Sequence, residues 1–97
     1  MNINIQVLET YSQQNPQEVL IVTAKDNNEE VEIMIFKGFS SNLSGSTQYD
    51  PDVPILSPDA QIIKIDRASS PYNPSNPQYI QKYLTVQDFL PLLNNIL

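Results

Sequence analysis

Two cations and three hydroxyls are spaced so that they could bind an anion. Lys37 ends one predicted strand and Arg67 ends another, while Ser40, Ser41 and Ser44 follow Lys37. If the two strands run in parallel, both cations reach the same edge of the sheet, where serines and backbone amides could help to hold a phosphate or carboxylate. If the strands are antiparallel, which is the commoner pairing, the cations lie at opposite ends. These residues lack the Gly-Lys-Ser/Thr ending of a Walker motif.

Three aspartates in one segment raise the question of a metal site. Asp50, Asp52 and Asp59 carry oxygen ligands of the kind that calcium and magnesium prefer. Counting from Asp50, however, Ile55 stands where an EF-hand needs glycine and Gln61 stands where it needs glutamate. We therefore interpret the aspartates as turn formers beside prolines and predict no metal site.

Prolines repeat every third residue in a second segment that could contact a protein. Pro71, Pro74 and Pro77 have the period of a polyproline II helix. Arg67 is too far ahead of Pro71 to act as the flanking cation of an SH3 ligand, so we favour a rigid surface loop. Aromatic side chains and rigid prolines suit interfaces. The residues predicted to bind a partner are Phe39, Pro71, Tyr72, Pro74, Pro77 and Tyr79.

The inventory of side chains limits catalysis. The 97 residues include no histidine, cysteine or tryptophan. This excludes disulfides, zinc held by thiolates, haem ligation by histidine and Ser-His or Cys-His catalytic pairs. No spacing of the carboxylates or tyrosines identifies an acid–base pair. We predict no catalytic residue and no cofactor, and we favour a non-enzymatic role without deciding the question.

The charge balance disfavours two classes of partner. Five Lys/Arg against eleven Asp/Glu give a formal net charge of −6, which repels phosphate backbones and anionic lipid. No apolar run approaches the ~20 residues of a membrane span. The first residues do not have the basic start and apolar core of a signal peptide, so we expect a cytoplasmic protein. The length predicts a single globular domain over residues 1–97.

Hydrophobic patterning predicts an α+β fold. In residues 3–14 strand and helix periods compete, and we favour a helix capped by Asn2 or Asn4. An apolar β-branched run predicts a central strand, and the Asp/Asn cluster after it predicts a hairpin. Thr85 and Asp88 predict the start of a C-terminal helix, which Pro91 should shorten or kink. The three strands of a mostly antiparallel sheet are placed at 18–25, 31–37 and 61–67.

The remaining segments are predicted to be mostly irregular. Residues 39–59 and 68–78 are expected to form two long proline-rich loops. An extra short strand in 50–57 is an alternative, and residues 79–83 are expected to make a short helical turn.

Four short motifs resemble a family of small uncharacterised proteins of cyanobacteria and plastids. The similarity runs from about residue 16 to about residue 90. It implies a photosynthetic source and a domain of unknown function, and it brings no catalytic residue, cofactor or substrate. The motifs are Phe36-Lys37-Gly38-Phe39-Ser40-Ser41, Asp50-Pro51-Asp52-Val53-Pro54, Ile65-Asp66-Arg67 and Pro71-Tyr72-Asn73-Pro74.

Two functions follow as expectations. The leading one is a non-enzymatic protein-binding or adaptor module of a photosynthetic bacterium. The alternative is a domain that binds a small anion or metabolite through Lys37, Arg67 and the serines. Neither the partner nor the oligomeric state is predicted.

Overall fold

A five-stranded antiparallel sheet with helices on one side forms the described part of the chain. The structure is a computed structural model that describes residues 4–26, 28–43, 60–73 and 75–93. The sheet has the order β3-β2-β1-β4-β5, and every neighbouring pair is antiparallel. The α+β class is therefore confirmed. The elements are α1 (Ile5–Gln14), β1 (Glu18–Asp26), β2 (Glu29–Phe36), β3 (Phe39–Asn42), β4 (Gln61–Ser69), β5 (Tyr79–Leu84), α2 (Val86–Phe89) and a 3-10 helix (Leu90–Leu93).

The strand β1 lies at the centre of the sheet, as its apolar run predicts. Residues 18–24 are all buried, because other side chains cover both faces of this strand. Leu20 lies opposite Ile35 of β2 on one side and opposite Arg67 of β4 on the other. This register decides which side chains of the outer strands share a face.

Two tight turns place β2 and β3 beside the central strand. Asp26 pairs with Glu29, and Asn28 has a φ of 65°, so the predicted hairpin at the Asp/Asn cluster is confirmed. Phe36 pairs with Phe39 across a second turn, where Lys37 and Gly38 have φ values of 52° and 87°. Positive φ at both central residues is the type I′ geometry that matches the twist of a hairpin.

The prediction of three strands was wrong, because two predicted irregular segments form strands. The type I′ turn returns the chain along β2, so the first predicted loop begins with β3. The segment that we expected to make a helical turn is β5, which pairs with an extended β4. The second predicted loop is accordingly reduced to the connection 70–78. The alternative strand in 50–57 lies outside the described residues.

Both helices begin at the caps that the sequence predicts. The Asn4 side chain accepts a hydrogen bond from the Val7 amide at 2.9 Å. Thr85 and Asp88 form a reciprocal capping box, and the chain passes into the 3-10 helix that contains Pro91. No helix within the described ranges is long and apolar enough to cross a lipid bilayer.

One side of the sheet, which we call the helix face, packs against α1, α2 and the 3-10 helix. The Tyr11 and Phe89 rings meet edge to face with their centroids 5.0 Å apart. Ser12 of α1 also contacts the turn between β2 and β3, because its hydroxyl accepts a hydrogen bond from the Gly38 amide at 2.8 Å. The helix face is formed by the buried residues Leu8, Tyr11, Leu20, Val22, Ile33, Ile35, Ile65, Leu84, Phe89 and Leu93.

Candidate protein-binding face

Four aromatic side chains form a row across the side of the sheet opposite to the helices. Phe36 packs against the small buried cluster of Val19, Ile21 and Ala68 on that side. Phe39 lies directly opposite Phe36 in the ladder, and directly opposed residues share a face. The hairpin therefore places Phe39 at the outer end of the row, where 78% of it is exposed.

Tyr72 and Tyr79 continue the row on the other side of the central strand. Tyr79 lies opposite Ala68, and Tyr72 packs against the same cluster as Phe36. Burial, a hydrogen bond to Tyr79 and the nearby Glu32 and Asp66 carboxylates raise the pKa of Tyr72. We call this side, with Phe36, Phe39, Tyr72 and Tyr79, the aromatic face.

The row crosses all five strands, from Phe39 on β3 to Tyr79 on β5. Four strand spacings correspond to ~19 Å. An extended segment of about six residues covers that distance.

Lysine side chains lie against aromatic rings near both ends of the row. The Lys37 ammonium is 5.2 Å from the centroid of the Phe36 ring, and the Lys82 ammonium is 4.4 Å from that of Tyr79. Lys82 is also 5.2 Å from the Tyr83 centroid, and Lys64 is 4.8 Å from it. These distances are in the range of cation–π attraction. The aromatic face is thus bordered by cations in a chain whose net charge is −6.

Tyr83 has an unusual backbone conformation for its residue type. Its φ is 61°, which strains a bulky side chain, and its amide donates to Asp66 Oδ1 at 2.8 Å. Asp66 in turn pairs with the Lys64 ammonium at 3.2 Å. This arrangement leaves 65% of Tyr83 exposed beside Lys64 and Lys82.

The proline segment turns between its prolines. The Ser69 amide donates to the Gln78 carbonyl at 2.8 Å, and the Asn73 carbonyl accepts from the Asn76 amide at 3.0 Å. A turn at Asn73 interrupts the repeat, so Pro71 and Pro77 do not lie along one polyproline II helix. Pro71 is exposed and Pro77 is half-buried. Pro74 lies outside the described residues.

Lys37 and Arg67 lie at the same end of the sheet but not side by side. β2 and β4 are both antiparallel to β1, so they run in the same direction. Because β1 lies between them, the two strands are about 10 Å apart. The two strands therefore run in the same direction, as the predicted anion site requires. They are not neighbours, however, so the two cations are not brought side by side.

The serines of the predicted anion site point to different surroundings. Ser40 lies opposite Ile35 and donates to the Glu9 carboxylate of α1 at 2.8 Å. Ser41 lies opposite Met34 and is exposed on the aromatic face. Ser44 lies outside the described residues. A carboxylate beside Ser40 opposes the approach of an anion.

Arg67 is held on the helix face by a nearly buried carboxylate. Its Nε and Nη2 donate to the two oxygens of Glu18 at 2.7 and 2.9 Å, and its Nη1 donates to Gln81. Tyr11 donates to the same two oxygens at 3.0 and 3.1 Å. Burial and this bond raise the pKa of Tyr11 to about 12. All three guanidinium nitrogens therefore have partners within the domain, and the hydrogen bond to Glu18 raises the pKa of Arg67.

Carboxylates do not gather into a metal centre in the described ranges, where no group of three potential ligands is found. Asp50, Asp52 and Asp59 lie outside those ranges. 

Comparison with known protein families places most of the chain in a described family. A family model described as "Domain of unknown function (DUF7734)" matches residues 5–93. The match therefore runs from the start of α1 to the end of the 3-10 helix. No curated protein and no solved structure matches the chain.

Proposed function

We propose that this chain, which belongs to the family of the domain of unknown function DUF7734, is a non-enzymatic protein-binding module that contacts its partner through the aromatic face. The observation that carries the proposal is the exposure of aromatic side chains opposite the helices. Phe39 is 78% exposed and Tyr79 is 36% exposed, yet both belong to one row. Large exposed apolar groups in one patch are typical of interaction sites.

The kinds of side chain favour a protein as the partner. Tyrosine and phenylalanine are enriched in protein interfaces, since they bury a large area with few rotatable bonds. The central part of the face is rigid, because Phe36 and Tyr72 pack on the buried cluster around Ile21. A net charge of −6 disfavours nucleic acid, whose binding depends on neutralising phosphates.

The anion-binding alternative has weaker support. Arg67 already binds Glu18 and Gln81, and Ser40 already binds Glu9. A phosphate would have to displace these internal contacts at a cost in stability. We therefore propose protein binding as the function and leave the anion site as an untested prediction.

The proposal is tested by capture of partners with matched surface variants. Wild-type protein, a Phe39→Ser/Tyr79→Ser variant and a Leu92→Ser control are immobilised and exposed to a lysate of the source organism. Leu92 lies on the 3-10 helix and is exposed to the same extent as Tyr79, 36%. We expect wild type and the control to capture the same proteins and the double variant to lose them. Chemical cross-links from the captured protein should fall on β3 and β5.

Two controls keep this result interpretable. Circular dichroism must show that the double variant is folded, and Phe39→Ser alone repeats the test at the more exposed position. If all variants capture the same proteins, or if cross-links fall on α1 and α2, the aromatic face is not the binding surface.

A further inference from the structure

We infer that the partner presents an extended segment bearing carboxylates, and that Lys82 at the β5 edge of the aromatic face binds one of those carboxylates. This inference rests on the proposed function and deepens it by stating the chemistry of the partner. The residues concerned, which we call the edge cluster, are Lys64, Tyr79, Lys82 and Tyr83.

The edge cluster contains a lysine that no carboxylate of the described residues neutralises. Two of the five Lys/Arg residues belong to it. The salt bridges found among described residues are Lys64–Asp66 and Arg67–Glu18, so Lys82 has no carboxylate partner in that part of the chain. Its ammonium instead lies 4.4 Å from the centroid of the Tyr79 ring and 5.2 Å from that of the Tyr83 ring. A carboxylate from a partner can pair with this ammonium without breaking an existing ion pair.

Two tyrosine rings distinguish Lys82 from an isolated surface lysine. Cation–π attraction to the two rings favours one position of the exposed Lys82 ammonium, so a ligand meets a charge that is already placed. Tyr83 is held in this position by its positive φ and its hydrogen bond to Asp66. Backbone strain that orients an exposed side chain is typical of binding sites.

Side chains, rather than the backbone of β5, are the contacts that the geometry favours. The pairing of β5 with β4 has two register shifts, between Ile65 and Arg67 and between Arg67 and Ala68. Irregular edges and edge lysines discourage the addition of another strand. A partner segment is therefore expected to cross the face along the aromatic row rather than to extend the sheet.

The charge of the domain favours a carboxylate-bearing peptide over nucleic acid as the partner. An extended peptide with a carboxylate and an apolar side chain two residues apart presents both to the same surface, so that the carboxylate can pair with Lys82 while the apolar side chain contacts the neighbouring rings. The net charge of −6 repels both ligands, but it repels a phosphate backbone more strongly, because that backbone carries a charge at every unit whereas the peptide carries only a few. We therefore argue for the peptide and use single-stranded DNA as a competing probe.

The test is an NMR titration with defined probes. The first probe is an acetylated peptide with the repeat Glu-Ser-Val-Ser, in which Glu and Val lie two residues apart and so share one face, about eight residues long so that it spans ~26 Å when extended. Its matched control has Gln in place of Glu, and the competing probe is an oligothymidylate of about the same length. We expect the Glu peptide to shift the amide signals of 64 and 79–84, and the Gln peptide to bind at least about threefold more weakly.

Variants then assign the effect to the edge cluster. Lys82→Gln should weaken binding of the Glu peptide by about three- to tenfold. Lys25→Gln removes an equal charge at the far end of β1, where Lys25 is exposed, and should leave the affinity unchanged. Raising the salt to about 0.5 M should weaken wild type toward the Lys82→Gln value, because ions screen exposed charges.

Four outcomes overturn the inference: no shift at about 5 mM Glu peptide, equal binding of the Gln peptide, tighter binding of oligothymidylate, or no effect of Lys82→Gln. None of these outcomes changes the result of the capture test, which depends on Phe39 and Tyr79. If partner capture depends on those two residues while Lys82→Gln captures normally, protein binding stands and the carboxylate chemistry is wrong.

Discussion

Both faces of the sheet include side chains of the central strand, but the large side chains of the two faces differ in burial. β1 contributes Leu20 and Val22 to the helix face and Val19 and Ile21 to the aromatic face. On the helix face Phe89 is fully buried, whereas Phe39 on the aromatic face is 78% exposed. Burial of apolar area stabilises the fold, and apolar area left exposed is available for association. The helix face thus stabilises the fold, whereas the aromatic face leaves apolar area exposed.

Charged side chains also differ in burial between the two faces. On the helix face the Glu18 carboxylate is bonded by Arg67 and Tyr11 and is nearly buried. On the aromatic face Lys82 contacts rings at the surface. Removing one member of a buried ion pair is strongly destabilising, because it leaves the other charge buried without a countercharge. A charge without internal partners can instead pair with a ligand.

The sharpest contrast is expected between Phe89→Ala and Phe39→Ala. Removing the buried ring should lower the free energy of unfolding by about 3–5 kcal/mol. Removing the exposed ring should change it by less than about 0.5 kcal/mol. Urea denaturation measures both, and a cost for Phe39→Ala as large as that for Phe89→Ala would erase the distinction between the faces.

Glu18→Gln should show that the buried carboxylate is structural. It leaves the guanidinium of Arg67, whose side chain is only 15% exposed, without a countercharge. We expect a loss of about 3 kcal/mol. Glu29→Gln at the exposed hairpin is the matched control and should change stability by less than about 0.5 kcal/mol. Equal effects of the two variants would show that Glu18 is no more important than a surface carboxylate.

Tyr11 should make stability fall at alkaline pH. Its pKa is raised to about 12 in the folded protein and is 10.0 without the fold. The unfolded chain therefore loses this proton first, so the stabilisation is complete below pH 10 and is lost as the pH rises toward 12. Two pKa units correspond to about 2–3 kcal/mol. The difference in unfolding free energy between wild type and Tyr11→Phe, measured from pH 9 to 12, should shrink by that amount; parallel curves would contradict it.

The smallest effect concerns the turn that presents Phe39. Gly38 has a φ of 87°, and an added Cβ would lie 3.2 Å from Gln13 Cγ. We expect Gly38→Ala to cost about 1 kcal/mol. Lys37→Asn at the neighbouring φ of 52° should have the opposite sign, because asparagine tolerates this conformation better. Thermal unfolding gives the Tm of each variant relative to wild type. If both variants shift the Tm in the same direction, the type I′ turn is contradicted.

Local signals predicted the parts of the fold that neighbouring residues determine. Thr85 and Asp88 cap α2 as expected, and the Asp/Asn cluster forms the hairpin. The resemblance to an uncharacterised family is confirmed by the match over residues 5–93. β5 was missed because five of its six residues are exposed, so it lacks the alternation that marks a half-buried strand.

The candidate site depends on register, which local patterns do not reveal. Phe39, Tyr72 and Tyr79 were selected by residue type, but their common row follows from pairings across five strands. The ion pair of Arg67 with Glu18 joins residues 49 positions apart. The clue that could have located β3 is Phe36-Lys37-Gly38-Phe39, in which glycine ends a two-residue loop between aromatic residues.

The hydrogen bond from the Gly38 amide to Ser12 connects the turn beside Phe39 to helix α1. The Ser12 hydroxyl in turn donates to the Glu9 carbonyl at 2.8 Å, and Ser12 is fully buried. The turn can therefore open only by breaking a buried contact with α1. In hydrogen exchange, the Gly38 amide should be protected longer than other turn amides, with a lifetime that follows the detachment of α1. The amide next to Phe39, the most exposed of the described aromatic side chains, then reports whether the helix on the opposite face stays in place.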